Sequence, residues 1–188
     1  MLDVLFLMYA DTDHASLLYH SILNTELQSN SNPFHHEAIA VEQKTVLDGK
    51  DFEGSPAEKM VLICASIVAN PIQKVLLSSE NLDDQLVIFL AAALRNCSSL
   101  TTLDLSYNDF GPKGVISLAV ALPNCPALTT LNLVGNEIGN EGAISLAAAL
   151  PNCPALTTLK LNGNRIGNEG AISLAARGVA RLKKTSGS

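Results

Sequence analysis

Four histidines and four cysteines are the residues of this chain best suited to chemistry, and their spacing decides whether they perform any. His14, His20, His35 and His36 all fall near the N-terminus. Asp11-Thr12-Asp13-His14 and His35-His36-Glu37 bring imidazole and carboxylate together, which is a donor set that divalent metals accept. Neither cluster has a recognised ligand spacing on a defined element, so helix-capping aspartates and loop histidines are the simpler reading. No C-x-x-C pair exists among the cysteines, and Cys97, Cys125 and Cys153 recur at one fixed interval. A thiol tied to a repeat phase is a small buried filler, and Cys64, inside an apolar helical run, reads the same way. Gly139-Asn140-Glu141-Gly142 opens a helix but lacks the lysine and spacing of a phosphate loop, and no nucleophile elbow is present. The expectation is therefore no catalytic residue, no metal site and no cofactor.

The period that governs the cysteines governs the elements that would position any site. Leu100-Thr101-Thr102-Leu103-Asp104-Leu105-Ser106-Tyr107-Asn108-Asp109-Phe110-Gly111 returns as Leu128 to Gly139, and again at the same interval as Leu156 to Gly167. A fixed period of this length means stacked units, none of which can bury its apolar face alone. Within each unit the alternation of a short strand turns Leu100, Leu103 and Leu105 and their copies, Leu128, Leu131, Leu133, Leu156, Leu159 and Leu161, to one side. Asn108, Asn136 and Asn164 follow the strand, where a side-chain amide can donate to and accept from loop backbone groups and build a ladder between units. Gly111, Gly139 and Gly167 allow a tight entry into the helix. The helix Glu141 to Leu150 is expected to bury Ile144 and Leu146 to Leu150, and Pro151 ends it.

A weaker copy precedes these, with Ile72, Val75, Leu77 and Leu82 in the leucine slots and Glu80 in place of the asparagine. A further copy, set slightly more than one period earlier, places Thr45, Leu47, Lys50 and Phe52 opposite Val75, Leu77, Glu80 and Leu82. Its helix is announced by Ser55-Pro56-Ala57-Glu58, a capping box with proline at the first helical position. Residues 44–182 thus form the array. Residues 1–43 are either a degenerate first repeat or a cap over the apolar end, and 183–188 a disordered tail. Arg177, Arg181, Lys183 and Lys184 crowd the C-terminus, which matches the macrodipole of a last helical turn.

Leu128 to Leu150, L-T-T-L-N-L-V-G-N-E-I-G-N-E-G-A-I-S-L-A-A-A-L, resembles the ribonuclease-inhibitor-like subclass of leucine-rich repeats, whose members include ribonuclease inhibitor, the Ran GTPase-activating protein and the sensor region of NOD-like receptors. The near-identical units and short array look most like leucine-rich-repeat effectors of intracellular bacteria such as Legionella. The resemblance implies an α/β solenoid, a horseshoe with a parallel β-sheet on the concave face and helices on the convex face. It also implies a partner protein on the concave sheet. No counterpart of the arginine needed for Ran GTPase activation can be placed, so that activity is not carried over.

By phase, the partner surface comprises Thr102, Asp104, Ser106, Thr130, Asn132, Val134, Thr158, Lys160 and Asn162, preceded by Leu76 and Val46. One column, Phe6, Val46, Leu76, Asp104, Asn132, Lys160, runs from apolar to polar along the array. Tyr107 is a separate aromatic anchor, because its phase-mates Gly135 and Gly163 show that the repeat does not demand a ring there. The expected function is a protein–protein interaction module, an effector that inhibits or recruits its target. The alternative is an enzyme with its site among the N-terminal histidines and the repeats as a targeting arm.

Composition bounds the partners. The chain is 47% hydrophobic and 16% charged with a net charge of −6, which supports a continuous core and argues against nucleic acid. No small-molecule substrate is expected of a solenoid surface. Met1 to Tyr9 is apolar but lacks a positive flank and is too short to span a bilayer. That points away from membrane insertion and towards the cytoplasm, or secretion into a host cell without a classical signal peptide.

Overall fold

The computed structural model describes residues 45–95 and 97–176, all within the second of the two units into which the chain divides, 43–188. The four histidines, Phe6, residues 1–43 and the basic cluster from Arg177 onward lie outside the described residues.

Five short strands alternate with helices: β1 (Val46–Asp48), α1 (Pro56–Ala69), β2 (Lys74–Leu76), α2 (Asp84–Leu94), β3 (Thr102–Asp104), α3 (Pro112–Ala121), β4 (Thr130–Asn132), α4 (Gly139–Ala149), β5 (Thr158–Lys160) and α5 (Asn168–Leu174). The strands form one parallel sheet in sequence order. Every pair joins residues one period apart, as in Leu103↔Leu131 and Leu131↔Leu159. Each strand with the helix after it is one unit, numbered 1 to 5 by its strand.

The middle residue of each strand enters the core. Leu47, Val75, Leu103 and Leu131 are fully buried, as are Leu100, Leu105 and Leu133. Leu159 and Leu161 of the fifth strand region are half-buried. Helix α1 starts where its capping box predicts: Ser55 Oγ accepts from Glu58 N at 3.4 Å, and the Glu58 carboxylate accepts from Ser55 N at 2.8 Å. Those Ser55 bonds, the backbone one foremost, hold the Glu58 carboxyl below its ordinary value. The rest of the helix packs Met60 and Leu62 to Ile67 into the core.

Two expectations about packing are corrected. Val46 pairs with Lys74 and not with Leu76, so unit 1 keeps the period of the other units instead of a longer one. The Asp48 carboxylate accepts from Lys50 N at 3.0 Å and caps a 3-10 turn, Gly49–Asp51. That turn, in a loop of the same length as the one between β2 and α2, brings Phe52 into the core ahead of the phase of Leu82, so Phe52 sets no register. On α4, Ile144 and Ala148 are exposed instead of buried; Leu146, Ala147 and Ala149 carry the inward face.

Candidate functional site: the sheet face and the loop edge

Behind the strands the asparagine ladder forms. The Asn108 amide donates to Leu77 O (2.8 Å), Leu105 O (3.1 Å) and Ser106 O (3.2 Å), while its oxygen accepts from Glu80 N and Leu82 N, both at 3.0 Å. Asn136 donates to Leu105 O and Leu133 O, and Asn164 to Leu133 O and Leu161 O. Glu80, which holds the ladder position of unit 2, is neutralised by Lys59 at 2.8 Å.

The cysteine column is equally structural. Cys97, Cys125 and Cys153 are free and buried between helix and next strand, with Cys64 inside α1. Burial raises all four thiols, and the neighbouring Cys97 and Cys153 add to the effect at Cys125, which is pushed up to about 12. Thiols so disfavoured as thiolates are poor nucleophiles. Among the described residues no cluster of His, Cys, Asp and Glu could hold a metal, and no helix is long and apolar enough to cross a membrane. A groove of about 270 Å³ beside the end of α1 is lined by Asn70, Pro71, Ser98 and Ser99 with Cys97, and holds no carboxylate, lysine or histidine.

The outward sheet face carries two columns, Val46, Lys74, Thr102, Thr130, Thr158 and Asp48, Leu76, Asp104, Asn132, Lys160. The corrected register puts Asp48 beside Leu76, so among the described residues the expected apolar half of the second column reduces to Leu76. Val46 is still outward and exposed, because a slip by an even number of positions preserves the face.

Ser106 does not belong to the surface. It is buried, its backbone N–H donates to Asp104 Oδ1 at 3.0 Å and its hydroxyl to the same oxygen at 2.6 Å. The Ser106 hydroxyl also meets Ser78 Oγ at 3.1 Å, and Asn132 donates to Asp104 Oδ2 at 2.9 Å. Asp104 is thereby held by its own array, and Asn132 with it, since Asn132 Oδ1 also accepts from Val134 N at 3.3 Å. Thr102, Thr130, Leu76 and Val134 are half-buried, and Lys160 and Asn162 are exposed.

Tyr107 is 64% exposed and has φ of +55°. Its phase-mates Ser79, Gly135 and Gly163 are also left-handed, at +61°, +69° and +69°. The loop therefore requires a positive φ at this position, which glycine accepts freely and a tyrosine adopts at a cost of about 1–3 kcal/mol. The ring lies against Gly135 of the next unit: a Cβ there would come within 2.7 Å of Tyr107 Cδ1.

Sequence reasoning missed a second set of bonds, between helices. Asp84 Oδ1 accepts from Gly111 N and Gly114 N, each at 2.8 Å, and so caps α3 from the preceding unit. Asn140 Oδ1 caps α5 in the same way, from Gly167 N at 2.9 Å and Gly170 N at 3.1 Å. A carboxylate or amide recurring at the same helix-start phase is the signal that could have revealed them.

A family model described as Leucine Rich repeat matches residues 96–119, 124–147 and 152–175. No curated protein matches the chain. Among solved structures, Leiomodin-1 Actin-Binding Site 2 (ABS2) superposes with a TM-score of 0.61 at 16% identity, over 83% of this chain and 93% of that one. At that identity the likeness concerns the fold. The chain carries leucine-rich repeats and folds as an α/β leucine-rich-repeat solenoid, with its parallel strands stacked on one side and its helices on the other.

Proposed function

We propose that this chain is a protein-interaction module that holds its partner on the outward sheet face and the loop edge beside it. Tyr107 carries the reading. An exposed ring in a left-handed backbone position, where the other copies place serine or glycine, is not required by the stack and supplies the kind of rigid aromatic surface on which interfaces concentrate their energy. Leucine-rich-repeat proteins of this type are typically binding modules without catalytic activity. The leiomodin-1 segment is by its own name an actin-binding one, an instance of protein binding on this fold, and actin is a reasonable first partner to try by co-sedimentation.

The contact set consists of Tyr107, Thr102, Thr130, Thr158, Lys160, Asn162 and Val134, with Leu76 and Val46 at the far edge. Asp104 and Asn132 shape this surface from within their own hydrogen bonds. A standard interface needs about 800 Å² per partner, and five rungs of sheet with their loops are of that scale. In its finer form the proposal is an effector that covers or recruits a target, of the ribonuclease-inhibitor-like subclass. The uniform length of the units supports that form.

Affinity capture with mass spectrometry, run on the native chain and on a Tyr107→Gly, Lys160→Glu variant, tests the assignment. The specific partner is expected to be lost from the variant while the thermal midpoint is kept. Equal capture by both proteins would remove the sheet face and loop edge from consideration.

A further inference from the structure

The seams between units are alike at the sheet and unlike at the helices. Strands β2–β3, β3–β4 and β4–β5 pair along their whole length in one register. On the loop and helix side, the seam between units 2 and 3 has the Asp84 cap, and Asn108 Oδ1 receives two N–H groups. The seam between units 4 and 5 has the Asn140 cap, and Asn164 Oδ1 receives Asn136 N at 3.2 Å.

The seam between units 3 and 4 has neither; the seam at the start of the array, between units 1 and 2, also has a proline, Pro56, at the cap phase and Glu80 in the ladder, but there Lys59 bridges to Glu80 at 2.8 Å. The phase-mate of Asp84 and Asn140 is Pro112, whose side chain has no acceptor to offer α4, and the Gly139 N–H at the start of α4 turns instead to Asn164 O of unit 5 at 3.0 Å. Asn136 Oδ1, the ladder oxygen that faces this seam, is buried and accepts no hydrogen bond. Gly139 at the start of α4 is left-handed, with φ of +63°, unlike the extended Gly111 and Gly167. What crosses from these loops is Tyr107 N to Val134 O at 2.7 Å, Glu137 N to Phe110 O at 3.0 Å and the Asn136 amide to Leu105 O at 3.0 Å.

We infer that the array has a built-in opening point at its middle: the helix side parts between α3 and α4, with the β3–β4 pairing as the hinge. A stack of equal units frays from its ends and is best protected at its centre. Here the bonds that would make the centre strongest are the ones withheld. Opening would separate Val115 from the Ile138 and Gly142 side of α4, which pack closely in the closed form. This conformational device stands whether or not Tyr107 holds a partner.

Amide hydrogen exchange on the full chain, read residue by residue by NMR, tests it through two equivalent bonds, Asp109 N to Leu82 O and Glu137 N to Phe110 O. Glu137 is expected to exchange at least about tenfold faster than Asp109, as a sub-global opening requires. Pro112→Asn, which supplies the missing acceptor, should slow Glu137 towards Asp109. Asp84→Ala, which removes the cap from the neighbouring seam, should speed Asp109 towards Glu137. Equal protection of the two amides in the native chain, or failure of both variants to shift their seam, overturns the inference.

Discussion

The two sides of each strand obey different rules. Behind the sheet, leucine and asparagine repeat with little change, and nearly every polar group there is claimed by a neighbouring unit. In front, the same strands present aspartate, leucine, aspartate, asparagine and lysine in one column. Repetition marks what the stack needs, and variation marks what it leaves free. The boundary between the two does not coincide with the boundary between inward and outward. Asp104 projects forward, yet it is bound by Ser106 and Asn132, so a varied residue can still be part of the frame.

The largest effect is expected where the frame is most fully bonded. Asn108→Ala removes a buried side chain that both donates and accepts, and should destabilise the fold by about 3 kcal/mol. Asn136→Ala should lose roughly half as much, because its oxygen accepts nothing. Chemical denaturation of both variants measures the difference, and equal losses would mean that the ladder oxygen contributes little anywhere.

Asp104→Lys comes next and puts the comparison itself at risk. If Asp104 belongs to the frame, charge reversal should lower stability by about 2 kcal/mol. An unchanged thermal midpoint would return it to the freely exposed surface.

The buried thiols should make stability fall in alkali. Cys125 stays protonated in the folded chain up to about 12, whereas an unfolded thiol ionises near about 8.5. Its contribution is complete below the unfolded value and is lost as pH rises towards the folded one. At pH 9.5 the loss from this residue should be about 1.4 kcal/mol. Denaturation at pH 7.5 and 9.5, repeated on Cys125→Ala, isolates it; identical pH dependence in both proteins would contradict the burial of this thiol.

The smallest effect on stability should have the opposite sign. Tyr107→Gly relieves a left-handed tyrosine, offset by the flexibility of glycine and the lost contact with Gly135, and should leave the fold unchanged or more stable by up to about 1 kcal/mol. A clear loss of stability would make Tyr107 a packing residue and weaken the case for it as an anchor.

Much of the fold was legible because a strict period constrains every unit at once. The leucine positions, the asparagine ladder, the capping box at Ser55 and the buried cysteines all follow from phase and residue type. The errors arose where phase was extended past its physical basis. Alternation holds only along extended backbone, and β3 ends at Asp104, so the rule that places Asp104 outward does not reach Ser106. In unit 1 the expected register rests on Phe52, a residue of the loop, and a 3-10 turn can bring a loop residue into the core at another phase without moving the strand. The site was less legible than the frame: Tyr107 stood out as an unneeded ring, but its left-handed backbone depends on a loop conformation that residue types alone do not specify.

Units 4 and 5 share Gly-Asn-Glu-Gly-Ala-Ile-Ser-Leu-Ala-Ala at their helix starts and differ mainly at Asn132 against Lys160, Val134 against Asn162 and Glu137 against Arg165. The junction between them is therefore close to the one such a unit would form with its own copy, with the Asn140 cap included. Tandem duplication of this stretch would add one period and one strand, widening the sheet by about 4.8 Å and creating no junction that the molecule does not already contain. Length in this molecule is thus an adjustable quantity, open to change by copying, while the residues that face outward remain free to diverge afterwards.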